Sequence, residues 1–191
     1  MKAHRNTIAV AIFFVFMAAG LVAAQDKSVP KSLVKFANET LTGIGQDPQL
    51  VSFVSRDNAN PVNVEKLRAL DKRWVAKDNI EDFVKALMSN QVSARLKKQI
   101  AAHTYIPEAF IMNAQGTIIG ETDRTSTYWK GEQEKFTAAY NGGVGAVWFG
   151  KLAYDESSKT NGVQISVPVV KGGKAIGAIT FTINVDEWEK R

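Results

Sequence analysis

The first half of the chain repeats its apolar residues at the spacing of an α-helix. Ile80, Phe83, Val84, Leu87 and Met88 follow the i, i+3, i+4, i+7, i+8 pattern and form the clearest amphipathic stretch. Shorter runs with the same period begin near residues 33, 50, 64 and 92. Because each run has one apolar stripe, the sequence predicts five helices between residues 33 and 100.

The second half changes to an alternating pattern, which has the period of a β-strand. Short apolar runs on both sides of residues 113–116 predict a hairpin, and residues 131–140 predict one inserted helix. The last two runs, residues 162–170 and 175–185, alternate so that one face of their hairpin is apolar.

These patterns together predict an α+β fold. A helical N-terminal section, residues 25–104, precedes an antiparallel sheet of about five strands, residues 105–191, and the two form one structural domain. The apolar face of the sheet has to be covered, so we expect the helices to pack on that one face.

The opposite face of the last hairpin carries uncharged polar residues, namely Gln164, Ser166, Thr180, Thr182 and Asn184. A sheet face in bulk solvent usually gathers Lys and Glu, whereas a row of hydroxyl and amide groups is typical of a polar ligand cavity. The pattern leaves both interpretations open, a ligand cavity or a solvent-exposed face.

The N-terminus has the features of a secretory signal. Lys2 and Arg5 precede an uncharged apolar run, residues 8–24, which ends in small residues. We expect cleavage after Ala24, so that residues 1–24 are a signal peptide; an uncleaved anchor helix is the alternative. Because the chain contains no cysteine, export favours a bacterial periplasm over a eukaryotic secretory route.

Composition and charge exclude several classes of function. Removing residues 1–24 takes away two basic and no acidic residues, and the formal charge falls from +5 to a mild +3. The remaining basic residues alternate with acidic and apolar ones, so we expect no binding to nucleic acid. His103 is then the only histidine, and with no cysteine the chain offers neither a metal site nor a catalytic set. We therefore expect no cofactor and no enzyme activity.

Three segments of the second half resemble the Cache family, the PAS-like extracellular sensor domains of bacteria. Residues 109–119 are similar to the first hairpin of that family, and residues 122–126 with Tyr128 and Trp129 resemble the loop that follows. Residues 173–186, GKAIGAITFTINVD, resemble its terminal strands. The resemblance implies a PAS-like antiparallel sheet with a pocket for carboxylates, amino acids or amines between the sheet and its loops.

The expected ligand site combines charged and aromatic residues of that loop with residues of the later strands. An aromatic wall beside a charged group is a common way to bind an amine or a carboxylate. The candidates are Asp123, Arg124, Tyr128, Trp129, Trp148, Tyr154, Ser166, Thr182 and Asn184. Core packing is the competing interpretation for the aromatic residues, and an Asx turn is the competing one for Asp123.

Two hypotheses of function follow. The first is an exported periplasmic sensor domain that binds a small molecule, of the amino acid, organic acid or amine class. Cache proteins usually continue into a transmembrane helix and an output domain, whereas this chain ends at Arg191. We therefore expect a free-standing module with no membrane span after signal cleavage, acting through a partner such as a membrane receptor or kinase. The alternative is a structural or interaction protein that keeps the fold without a pocket.

Overall fold

The computed structural model describes residues 29–155 and 159–191, and the predicted signal peptide lies outside them. The helices before the sheet are α1 (Lys31–Phe36), α2 (Thr42–Gly45), α3 (Pro48–Asn58), α4 (Val64–Ala76), α5 (Glu81–Ser89) and α6 (Gln91–Ile100). A π-helical turn, Ala37–Leu41, joins the first two without a break. The five predicted helical stretches are therefore confirmed. None of the helices in the described part of the chain combines the length and hydrophobicity needed to cross a bilayer.

The described residues that follow form one antiparallel sheet with two further α-helices. Its strands are β1 (Glu108–Met112), β2 (Ile118–Glu121), β3 (Trp148–Phe149), β4 (Ala153–Asp155), β5 (Thr160–Lys171) and β6 (Lys174–Asn184), and the helices are α7 (Glu134–Tyr140) and α8 (Val185–Glu189). The strand order is β2-β1-β6-β5-β3, and β4 also pairs with β5. The α+β class is confirmed, and the sheet has six strands where about five were predicted.

The last strand ends one residue earlier than its apolar pattern predicts. Val185 was expected to be the final apolar residue of the strand, but it is the first residue of α8. The side chain of Asn184 causes the change, because it accepts a hydrogen bond from the backbone N–H of Glu187 at 3.1 Å. An Asn in this position caps a helix and satisfies one of its free N–H groups.

The predicted apolar face of the sheet is buried against helices. Ile165 and Phe181 lie opposite each other on β5 and β6, and both are completely buried with residues of α1, α3, α6 and α8. The close packing of α2 on β5 depends on Gly45 at the end of α2, where a Cβ atom would lie 2.3 Å from the carbonyl oxygen of Pro168.

The opposite face of the sheet is covered as well. Trp74 of α4 and Phe136 of α7 belong to a second buried cluster, which includes Phe110 and Met112 of β1. Tyr128, from the loop between β2 and α7, packs on Trp74 with ring centroids 5.6 Å apart. The face that the sequence marks as polar is thus enclosed by a second layer, and this layer creates the candidate site.

Asp47 connects the first layer of helices. Its Oδ1 accepts hydrogen bonds from the backbone N–H groups of Gln49 and Leu50, at 3.1 and 3.0 Å, and so caps α3. The same carboxylate pairs with Arg95 and accepts from Gln99 of α6 at 2.7 Å.

We expect Asp47→Ala to lower the free energy of unfolding by about 2 kcal/mol, because the cap and the partners of Arg95 and Gln99 are lost together. Urea denaturation measures the loss. Asn63→Ala is the matched control, since Asn63 caps α4 through one exposed hydrogen bond and should cost about half as much. Equal losses in the two variants would contradict the connecting role of Asp47.

Candidate functional site

The polar face of the sheet opens into a cavity of about 400 Å³. Strands β1 and β5 form its floor, and its walls come from α7, the loop before α7, β3 and β4. Side chains that line it include Glu108, Phe110, Lys130, Lys135, Trp148 and Gln164. Of the two interpretations of this face, the structure favours a polar cavity.

The strand register places the polar groups of the floor. Thr182 of β6 lies opposite Glu108 on β1 and opposite Gln164 on β5. The hydroxyl oxygens of Ser166 and Thr180 lie 2.8 Å apart in the next row and hydrogen-bond to each other. The Oγ1 of Thr182 is buried and has no hydrogen-bond partner among the described residues. The hydroxyl groups of Ser166 and Thr180 therefore satisfy each other's hydrogen-bonding capacity, and the hydroxyl group of Thr182 takes no part in that hydrogen bond.

Two lysines approach the ring of Phe110. The Nζ of Lys130 lies 5.2 Å from the ring centroid and donates a hydrogen bond of 2.6 Å to the Oγ1 of Thr127. The Nζ of Lys135 lies 6.0 Å from the same centroid and donates to the Oε1 of Gln164. Burial lowers the pKa of Lys130 to about 7, and the neighbouring Lys135 lowers it further against the opposing effect of nearby carboxylates.

Two carboxyl groups are buried close to these lysines. Glu108 lines the cavity, and Glu121 lies on β2 opposite Phe110. Burial raises the pKa of Glu121 to about 7, and the charge of Glu108 adds to that rise. A hydrogen bond of 3.2 Å from the backbone N–H of Thr125 to Glu121 acts in the opposite direction. The cavity lining therefore contains amino groups and a carboxyl group, and a second carboxyl group, that of Glu121, lies behind it.

The structure brings two of the predicted site residues to the cavity. Trp148 and Tyr154 both line it. Ser166 and Thr182 lie in the polar row of the sheet, with Ser166 hydrogen-bonded to Thr180. Asn184 caps α8 at the end of β6 and is not among the residues that line the cavity.

The four predicted residues of the loop lie elsewhere. Tyr128 is buried in the second core cluster, and the Nε1 of Trp129 donates to the carbonyl oxygen of Gln115 at 2.7 Å. Arg124 donates to the carbonyl oxygen of Trp74 at 2.9 Å, and the carboxylate of Asp123 accepts from the next backbone N–H at 2.7 Å. These contacts match the competing interpretations, in which the aromatic residues pack in the core and Asp123 stabilises a turn.

Sequence reasoning missed Glu108, Phe110, Lys130, Lys135 and Gln164 as site residues. The polar row of the last hairpin already included Gln164, and Glu108 alternates with the apolar Ala109, so strand alternation could have identified both. No local pattern distinguishes Lys130 from a surface lysine, because its burial depends on elements distant in sequence. Within the described residues, no group of three or more His, Asp or Glu side chains could hold a metal ion.

No protein-family model matches the chain, and no curated protein matches it. Solved structures do match. The sensor domain of the Vibrio cholerae histidine kinase DctB is 14% identical, with a TM-score of 0.48 over 84% of this chain and 52% of that one. The ligand-binding domain of the Campylobacter jejuni chemoreceptor Tlp3, in complex with 4-methylisoleucine, is 14% identical, with a TM-score of 0.41 over 82% of this chain and 65% of that one.

A third match is the ligand-binding domain of the Pseudomonas fluorescens chemoreceptor CtaA in complex with L-serine. It is 13% identical, with a TM-score of 0.41 over 84% of this chain and 63% of that one. The chain thus spans between about half and two thirds of the length of these structures. They are the sensor domain of a histidine kinase and the ligand-binding domains of two chemoreceptors.

Proposed function

We propose that this protein is a sensor-type domain that binds a small molecule in the cavity on the polar face of its sheet. The observation that carries the proposal is the pair of lysines, Lys130 and Lys135, which approach the Phe110 ring inside a cavity of about 400 Å³. A cavity of this size with a few convergent polar groups is typical of small-molecule sites. It also supports ligand binding over the structural alternative, which predicts that bulky apolar side chains fill this space.

The charges of the lining favour a ligand with a carboxylate. Among the described residues, three lysines, namely Lys130, Lys135 and Lys151, line the cavity together with one carboxylate, that of Glu108. Charged hydrogen bonds between an ammonium group and a carboxylate are among the stronger polar interactions in proteins. Of the three classes expected from the sequence, organic acids and amino acids therefore fit better than simple amines.

The wider biological setting is part of the same proposal. We infer an exported protein that works in the periplasm, on the basis of the apolar N-terminal segment and of a sequence without cysteine. Ligand occupancy is passed on by contact with another protein, for which a membrane receptor or a kinase is the candidate. The chain then acts by binding and not by catalysis.

A thermal shift screen tests the proposal with L-amino acids, mono- and dicarboxylates and primary amines. A ligand at 100 times its Kd should stabilise the protein by about 2.7 kcal/mol, which is readily measured as a rise in Tm. We expect carboxylates or amino acids to raise the Tm. If no compound of the three classes does so, the proposal is wrong.

Lys135→Met should remove most of the stabilisation by the best carboxylate, because the apolar side chain cannot pair with it. Lys98→Met is the matched control, since Lys98 is exposed on α6 and does not line the cavity. Titration calorimetry on the three proteins measures the difference in Kd. Equal affinities of wild type and Lys135→Met would place the ligand elsewhere.

A further inference from the structure

Lys130 is a buried amine without an ion pair in the described part of the chain. Its side chain is only 1% exposed, and no carboxylate oxygen of those residues lies within ion-pair distance of its Nζ. Its hydrogen-bond partner there is the hydroxyl of Thr127. A buried lysine is normally paired, because an isolated charge is costly to remove from water. Lys130 nevertheless lines the ligand cavity.

The surroundings of Lys130 favour the uncharged form of the amine. Lys135 faces it from α7, while Glu108 on β1, Glu121 on β2 and Asp71 on α4 exert the opposite effect from a greater distance than an ion pair. Burial is the largest influence, and it brings the pKa to about 7. At neutral pH a much larger fraction of the molecules therefore carries a free amine at this position than at an ordinary lysine.

An uncharged lysine amine in a cavity is a nucleophile for carbonyl carbons. The placement of Lys135 adds a second requirement for the ligand. Both Nζ atoms lie within 6.0 Å of the centre of the Phe110 ring, and both lysines line the same cavity, so one small molecule bound there can reach both. The ammonium group of a lysine attracts a carboxylate, which is the role that Lys135 can take, and Lys130 can offer a lone pair to a neighbouring carbonyl group.

We propose that the cavity captures a 2-oxo acid covalently and reversibly, with the Nζ of Lys130 condensing with the ketone while Lys135 holds the carboxylate. This inference rests on the proposed function, because it uses the same cavity and names the ligand class more closely. The lone pair of Nζ attacks the carbonyl carbon, a C–N bond forms, and the carbonyl oxygen takes up a proton released by the nitrogen. The C–O bond then breaks, and the hydroxyl group leaves as water with the second proton of the nitrogen, so that a C=N imine remains and the step needs no oxidant or reductant.

Reductive trapping tests the proposal on the intact protein. Wild type is incubated at pH 7.5 with pyruvate and sodium cyanoborohydride, which reduces an imine to a stable amine, and the adducts are mapped by peptide mass spectrometry. We expect one adduct at Lys130, formed at least about ten times faster than at exposed lysines such as Lys85 and Lys98. Lactate, which carries the carboxylate without the ketone, should give no adduct.

Two variants complete the test. Lys130→Met should lose the adduct and Lys98→Met should keep it, with circular dichroism to establish that both fold. The adducts mapped on the wild-type protein test the proposal even if Lys130→Met does not fold. Adducts spread over the exposed lysines, or confined to Lys135, would overturn the proposal. If lactate and pyruvate raise the Tm equally and Lys130 stays unmodified, the cavity binds carboxylates but the imine proposal is wrong. If neither raises the Tm while another compound of the screen does, the imine proposal is wrong and the proposed function stands. The proposed function fails too only if no compound of the screen raises the Tm.

Discussion

Phe181→Ala is expected to lower the free energy of unfolding by about 4 kcal/mol, among the largest losses that a single truncation causes. Phe181 lies on β6, the strand between β1 and β5, opposite Ala109 on one side and Ile165 on the other. It is completely buried in the layer between the sheet and the first helices. Alanine would leave a cavity there, because strands on both sides prevent the site from collapsing.

Equilibrium denaturation in urea, followed by circular dichroism, measures this loss. Val144→Ala serves as the control, because Val144 is 77% exposed and its truncation should change the stability by less than about 0.5 kcal/mol. Phe181→Leu, which keeps most of the apolar volume, should fall between the two. A loss below about 1.5 kcal/mol in Phe181→Ala would show that the sheet and the helices do not share one closely packed core.

The apolar side of the sheet could be predicted because its cause is local. Val163, Ile165 and Val167 alternate with polar residues along one strand, and a period of two fixes which face they share. The structure confirms this face and the helices that cover it. The same argument identified the polar row on the other face, including Ser166 and Thr182.

The lining of the cavity was less predictable, because it depends on contacts between distant segments. Trp148 follows the strand register, and the structure places it in the lining of the cavity. Lys130 and Lys135 lie in a loop and in a short helix, where nothing in the local sequence distinguishes a buried lysine from an exposed one. Arg124, with its charge in the loop that the family resemblance marks, binds the carbonyl oxygen of Trp74 instead of lining the cavity.

The polar face also explains how a site with buried charges can exist in a stable fold. Ser166 and Thr180 hydrogen-bond to each other, so this part of the row costs little when it is covered. Glu121 and Lys130 differ from this hydroxyl pair, because burial disfavours the charged form of each side chain. The second layer therefore carries an energetic cost that depends on pH, and this cost can be measured without knowing the ligand.

Glu121→Gln is expected to raise the free energy of unfolding at pH 8 relative to the wild type, by up to about 3 kcal/mol. The folded protein holds the proton of Glu121 up to a pKa of about 7, while the unfolded chain releases it near 4.5. Because the folded state binds more protons between these values, the wild type loses stability as the pH rises from 4.5 to 7. An amide does not ionise, so Glu121→Gln should not show this loss.

At higher pH, Lys130 has the opposite effect on the free energy of unfolding. Its pKa is about 7 in the folded state and 10.5 in the unfolded chain, so the unfolded state binds more protons between these values and stability rises with pH. The two groups together give the wild type a minimum of stability near pH 7, and Glu121→Gln should remove the descending side of that minimum. Urea denaturation at intervals from pH 4 to pH 10 measures both sides of the minimum.

Glu189→Gln, an exposed substitution on α8, is the control and should follow the wild type at every pH. A constant difference between Glu121→Gln and wild type across pH 4.5 to 7 would mean that Glu121 is ionised throughout that range in the folded protein.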